Sequence, residues 1–123
     1  MVKSIMILCA ISGGSAVMLG AFASHGLKNK LSPEMLSVFK TGVDYQFVHT
    51  FALALVGLTM IAQGIEQSEL LTWAFICFAA GIVFFSGSLY LLALTRKKIF
   101  GPITPLGGLF FIFGWLLFAL YWM

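Results

Sequence analysis

The sequence predicts an all-α transmembrane four-helix bundle, with a short interfacial amphipathic helix between the first and second spans. Three observations carry that expectation. Of 123 residues, 61% are hydrophobic and 9% charged, with a mean hydropathy of +1.06, whereas a soluble domain carries about 25% charged residues. The apolar residues fall into four runs, each near the ~20 residues that span a bilayer core. The 7 Lys and Arg residues sit in short clusters between the runs, a pattern that sets membrane orientation and does not indicate nucleic-acid binding. The chain 1–123 reads as one integral membrane domain without linker, low-complexity tract or internal repeat.

The first span is expected over 4–23, flanked by Lys3 and by Lys28 and Lys30. A cleaved signal peptide ending at Ala21-Phe-Ala23 is the rival reading. Ser12-Gly-Gly-Ser15 interrupts the apolar stretch and the run is long for a signal, so a retained span is preferred. Ser12, Ala16, Gly20 and Ser24 recur every four residues and are all small. In lipid, helices associate through close backbone approach over small residues, so this stripe reads as the packing face of the first span, with a ligand slot beside it as the sharper alternative.

Residues 25–31 read as a loop. Ser32-Pro-Glu34 has the form of a helix start, with a Ser cap, Pro in the first position and an acid in the first turn. Met35, Leu36 and Phe39 recur at helical spacing with polar residues mostly opposite. That pattern predicts the interfacial helix, which feeds the second span through Gly42. The second span is expected over 43–63, the third over 70–94 and the fourth over 104–123. Pro102 and Pro105 suit a loop and a first helical turn. Gly107, Gly108 and Gly114 read as packing positions, and Tyr121 and Trp122 as an interfacial belt. Cys9 and Cys77 both lie within apolar runs, where free Cys behaves as a small hydrophobe. There is no CxxC or Cys/His metal spacing, and neither a metal nor another cofactor is expected.

Charge asymmetry orients the bundle. Lys28, Lys30, Lys40, Arg96, Lys97 and Lys98 fall on one side and Lys3 on the other. The positive-inside rule places loops 24–42 and 95–103 in the cytoplasm and both termini outside.

The densest polar cluster is Asp44, Tyr45, Gln46 and His49 at the start of the second span. Polar groups in hydrocarbon are costly and mark candidate sites. With the second span starting near Val43, His49 lies about 9 Å deep, at a depth similar to Ser88. Ser86 lies a little deeper and Tyr90 shallower, while Ser24 and His25 close the first span on the same side. The polar side chains are therefore expected to converge in the cytoplasmic half. Four chemistries compete for them. Haem would need His25 and His49 on opposite sides of one iron. Proton or ion passage would use His49 and Asp44 as titrating groups. Hydrolysis would pair Ser86 or Ser88 with His49 and Asp44. The favoured reading is an interhelical hydrogen-bond network of Tyr45, Gln46, His49, Ser86, Ser88 and Tyr90. A pocket for a lipid or small amphiphile is compatible with it, rimmed for anionic lipid by Lys28, Lys30, Arg96, Lys97 and Lys98. The protein is then a small non-enzymatic membrane protein, and the alternative is a small oligomeric transporter or channel. The expected partners are membrane lipids and a second copy of the chain.

Four segments carry a resemblance. Gly20-Ala-Phe-Ala-Ser-His-Gly-Leu27, Thr41-Gly-Val-Asp-Tyr-Gln-Phe-Val-His49, Phe85-Ser-Gly-Ser-Leu-Tyr-Leu-Leu-Ala-Leu-Thr95 and Gly101-Pro-Ile-Thr-Pro-Leu-Gly-Gly108, in that order, resemble the YgdD/YwdK-like bacterial membrane proteins, domain of unknown function family 423. Ser24 departs from a pattern that often has Gly or Ala beside the His. The resemblance implies a small four-helix protein of the bacterial inner membrane and brings no catalytic residues with it.

Overall fold

The computed structural model describes residues 1–65 and 67–123. The helices are α1 (Val2–His25), α2 (Pro33–Ala62), α3 (Glu69–Gly81), α4 (Gly87–Thr95) and α5 (Ile103–Tyr121). A π-helical turn, Ile82–Ser86, joins α3 to α4 without a break, and a short 3-10 turn, Lys98–Phe100, precedes α5. Four helical stretches are therefore long and apolar enough to cross a membrane. The chain is a transmembrane four-helix bundle.

Local chemistry sets the helix starts. Ser32 Oγ accepts the Met35 N–H at 3.3 Å, with Pro33 opening α2 and Glu34 in its first turn. Ser68 caps α3 in the same way, and Glu69 again puts an acid against the helix dipole. The end of α4 is closed by Arg96, a non-glycine residue in the left-handed region (φ 57°), whose N–H reaches the Leu92 carbonyl at 2.8 Å.

The separate interfacial helix expected before the second span does not exist. Residues 33–62 form one uninterrupted helix that runs straight through Gly42. Gly42 is not a joint but a contact point. A Cβ there would lie 2.7 Å from the Tyr90 ring and 3.3 Å from the Ser86 carbonyl. Close packing against α4 holds the first turns of α2 inside the bundle, where an amphipathic pattern alone would lay them on the interface. Phe39 and Val43 are buried there with Ala23, Leu27 and Ala93.

The central element is α2, which packs on α1 on one side and on α3, the π turn and α4 on the other. The outer edge is α5, which packs on α3 and the π turn. Small residues let these helices approach. Gly107 lies directly against the backbone of Phe85 in the π turn. Gly81 accommodates the Phe111 ring, and a Cβ on Gly114 would lie 2.7 Å from the Phe78 ring. Without a hydrophobic force between helices in lipid, this interlocking supplies the van der Waals contact that holds α5. Two apolar cores result. One gathers Ile5, Leu53, Val56, Met60, Leu71 and Phe78 towards the end carrying the N-terminus; the other surrounds Phe39 at the opposite end. Both cysteines are free.

Replacing Gly107 by Ala puts a methyl into the backbone of the π turn and is expected to destabilise the protein by about 1–3 kcal/mol. Gly108→Ala, whose added carbon would make ordinary contact with Phe85 at 3.8 Å, should stay within about 0.5 kcal/mol of wild type. Thermal unfolding in mild detergent compares the two, and equal midpoints would refute the assignment of Gly107 as the contact that seats α5.

Candidate functional site

Because α2 begins at Pro33, Gln46 lies thirteen residues along it, roughly 20 Å at ~1.5 Å per residue. Ser12 is similarly placed near the middle of α1. The polar cluster is thus at mid-depth, between the two apolar cores. The expected position in the cytoplasmic half followed from starting the second span ten residues too late.

Gln46, 5% exposed, is the hub. Its Nε2 donates to the Ser12 carbonyl at 2.9 Å and to Ser15 Oγ at 2.8 Å. Its Oε1 accepts from the Tyr90 hydroxyl at 2.7 Å. One amide thereby ties α1, α2 and α4 together. Ser15 Oγ donates to the Ser12 carbonyl at 2.9 Å. Thr50 Oγ1 donates to the Gln46 carbonyl one turn back at 2.7 Å, and Ser12 Oγ and Thr50 Oγ1 lie 2.6 Å apart. Thr50 has a single proton and it is already used, so Ser12 is the donor to Thr50.

His49 belongs to a different cluster. Its Nδ1 donates to the Tyr45 carbonyl at 2.8 Å, which fixes the tautomer. Nε2 is left as an acceptor and takes the Trp115 indole N–H at 3.4 Å, a long contact. The Phe111 ring stacks on the imidazole with centroids 3.4 Å apart and planes 8° from parallel. Tyr45, 43% exposed, stacks on Phe85 with centroids 4.4 Å apart. The imidazole is a neutral, doubly engaged plate between α2 and α5.

The expected single network is therefore divided. Gln46 and Tyr90 share one circuit, and Tyr45 and His49 share an aromatic stack. Ser88 makes a third link, to Thr104 at 2.6 Å, which ties α4 to α5. Ser86 Oγ is fully buried without a hydrogen-bond partner among the described residues. Neither serine hydrogen-bonds His49. Asp44 projects about 200° round α2 from Gln46 and lies exposed in a surface groove with Ser37, Lys40 and Thr41. His25 is exposed at the end of α1, so the two histidines are not brought together. Lys28, Lys30, Arg96, Lys97 and Lys98 are all exposed at that same end of the bundle. Among the described residues no group of three His, Cys, Asp or Glu side chains could hold a metal. The small stripe of α1 is used through Ser12, Ala16 and Gly20, but Ser24 is exposed and buried Ala23 takes its place.

Sequence reasoning missed Ser15, Thr50, Phe111 and Trp115 as partners and saw Ser12 as part of a small packing stripe with a ligand slot as the alternative, not as a hydrogen-bonding group. The interruption Ser12-Gly-Gly-Ser15 was the available signal. Two hydroxyls in an otherwise apolar run need acceptors, and a Gln in the next span is a natural counterpart.

Beside the Gln46 circuit lies a groove of about 240 Å³. Leu8 and Ile11 of α1 form one wall, Ala79, Ile82 and Val83 form the other, and Ser12, Ser15, Gln46 and Leu53 lie between them as its floor. The rim residues Leu8, Ile11 and Val83 are exposed on the outside of the bundle, so the groove opens sideways to where lipid lies.

The model of the family described as "Protein of unknown function (DUF423)" matches residues 19–108. The chain belongs to the DUF423 family. This DUF423 chain is 44% identical over 115 residues to the UPF0382 membrane protein YwdK of Bacillus subtilis (strain 168), covering 94% of this chain and 92% of that one. It is 44% identical to a UPF0382 membrane protein of Staphylococcus aureus (strain bovine RF122 / ET3-1), with 94% and 91% covered. It is 40% identical to the UPF0382 inner membrane protein YgdD of Escherichia coli (strain K12), with 94% and 86% covered. No solved structure matches. The DUF423 match takes in Gln46, His49 and Tyr90, whereas Ser12 and Ser15 precede it.

Interhelical hydrogen bonds in membranes contribute about 0.6 kcal/mol each on average. Gln46→Leu removes three and should destabilise the bundle by about 2 kcal/mol, whereas Tyr90→Phe removes one and should cost about a third of that. Denaturant-induced unfolding in detergent micelles measures both. A Tyr90→Phe loss as large as that of Gln46→Leu would show that Gln46 is not the hub.

Proposed function

We propose that this protein is a small non-enzymatic membrane protein that holds a lipid or small amphiphile in the groove between α1 and α3. The supporting observation is the groove itself, apolar at its exposed rim and polar at its floor through Ser12, Ser15 and Gln46. Ligand sites are typically concave and mostly apolar with a few convergent polar groups, and this one opens to lipid, the phase in which an amphiphile resides. Transport draws less support. Both His49 nitrogens are already engaged, and Asp44 lies on the far side of α2 from Gln46. The reading includes inner-membrane residence, as in the printed name of the Escherichia coli relative. It also places the end bearing Lys28, Lys30 and Arg96 to Lys98 in the cytoplasm, where anionic lipid head groups complement it.

Native mass spectrometry of the protein extracted in mild detergent, wild type beside Val83→Trp, tests the binding reading. Val83 lines the groove without joining the hydrogen-bond circuit, so a bulky ring there should block entry and leave the fold intact. A co-purifying mass in the wild type that is absent from the variant supports the reading, and a bare mass in both removes it. The same spectrum counts subunits.

Orientation is read with Lys97→Cys and Gln67→Cys, each in a chain carrying Cys9→Ala and Cys77→Ala. In intact cells a membrane-impermeant maleimide should label position 67 and spare position 97. Labelling at 97 alone would invert the topology.

A further inference from the structure

The groove floor is unusual in where its protons point. Both Nε2 protons of Gln46 are spent, on the Ser12 carbonyl at 2.9 Å and on Ser15 Oγ at 2.8 Å. The Ser15 proton goes to the Ser12 carbonyl at 2.9 Å. The Ser12 proton goes to Thr50 Oγ1 at 2.6 Å, because the Thr50 proton is given to the Gln46 carbonyl. The Tyr90 proton goes to Gln46 Oε1 at 2.7 Å. Every donor in the circuit has an acceptor within hydrogen-bond reach inside it. The lone pairs left on the residues of the circuit that line the groove are one on Gln46 Oε1, one on Ser15 Oγ and two on Ser12 Oγ. The floor can accept hydrogen bonds and cannot offer them.

Charge narrows the ligand further. Among the described residues no Lys, Arg, His, Asp or Glu lines the groove. A phosphate or carboxylate would meet only lone pairs there, without a cation and at mid-depth, where an isolated charge is strongly penalised. An ammonium would find acceptors but no counter-ion. A hydroxyl brings a proton without a charge.

We infer that the groove selects an uncharged lipid-phase alcohol, whose hydroxyl donates its one proton to Gln46 Oε1 or Ser15 Oγ while its chain leaves between Leu8, Ile11 and Val83. This rests on the amphiphile-holding reading above and names the head-group chemistry of that site.

The purified protein in mild detergent is offered 1-dodecanol and dodecyl methyl ether together, then dodecanoate, and bound masses are read by native mass spectrometry. The alcohol and ether share a chain, but only the alcohol donates. One hydrogen bond in a dry site is worth about tenfold in affinity, so the alcohol should outcompete the ether by about that factor and dodecanoate should not bind. Ser15→Ala releases one Gln46 proton into the groove, and the preference should shift towards the ether. Val83→Trp should abolish binding of both. Equal binding of alcohol and ether in the wild type, lost in Val83→Trp, overturns the inference while leaving the groove as an amphiphile site. Preferential binding of dodecanoate also overturns it. Failure of all three probes to bind removes the amphiphile reading along with it.

Discussion

Within hydrocarbon there is no water to satisfy a polar atom, so each one placed there must find its partner in the protein. Gln46 brings two donors and an acceptor to the middle of the bundle, and the neighbouring helices are arranged to meet them. The Ser12 carbonyl and Ser15 answer from α1, and Tyr90 answers from α4. Apolar side chains in lipid have little preference for one rotation of a helix over another. A set of directed hydrogen bonds does, since turning α1 by one residue, about 100°, would carry Ser12 and Ser15 away from Gln46. The circuit therefore fixes the rotation of α1 about its axis, and with it the groove beside α3.

The other edge is held by shape. Gly81 and Gly114 accept the rings of Phe111 and Phe78 in reciprocal fashion, and Gly107 seats α5 on the π turn. Close approach there brings Phe111 face to face with His49 and the Trp115 N–H to its free nitrogen. The histidine that stands out in the sequence as a titratable group is thus enclosed as a neutral aromatic plate. Its most visible property, a proton equilibrium near neutrality, is not what its surroundings use.

Much of the fold was legible in the sequence. Four apolar runs of spanning length and basic clusters confined to two loops describe a four-span membrane protein before any contact is known. Ser32-Pro-Glu34 marks the start of α2 at the residue where the helix begins. The candidate site was legible in content but not in arrangement. Gln46, His49, Ser88 and Tyr90 were recognised as polar residues of the interior, yet they belong to separate clusters. The amphipathic spacing of Met35, Leu36 and Phe39 suits an interfacial helix as well as a buried first turn. What separates the two is whether another helix covers the apolar face, and that cover comes from α1 and α4.

The sequence by itself determined the number of spans, the helix start at Ser32-Pro-Glu34 and the end of the bundle that carries the positive charge. Each of these follows from local composition or from chemistry within a few residues. The length of α2, the mid-depth position of the Gln46 circuit, the tautomer of His49 and the acceptor-only floor of the groove were decided by tertiary structure. Each depends on which distant atom receives a given proton or which ring fills a given glycine notch. Ser12 and Thr50 are 38 residues apart, and Trp115 and His49 are 66 apart. No spacing rule within a helix spans such distances, and only the packed bundle joins them.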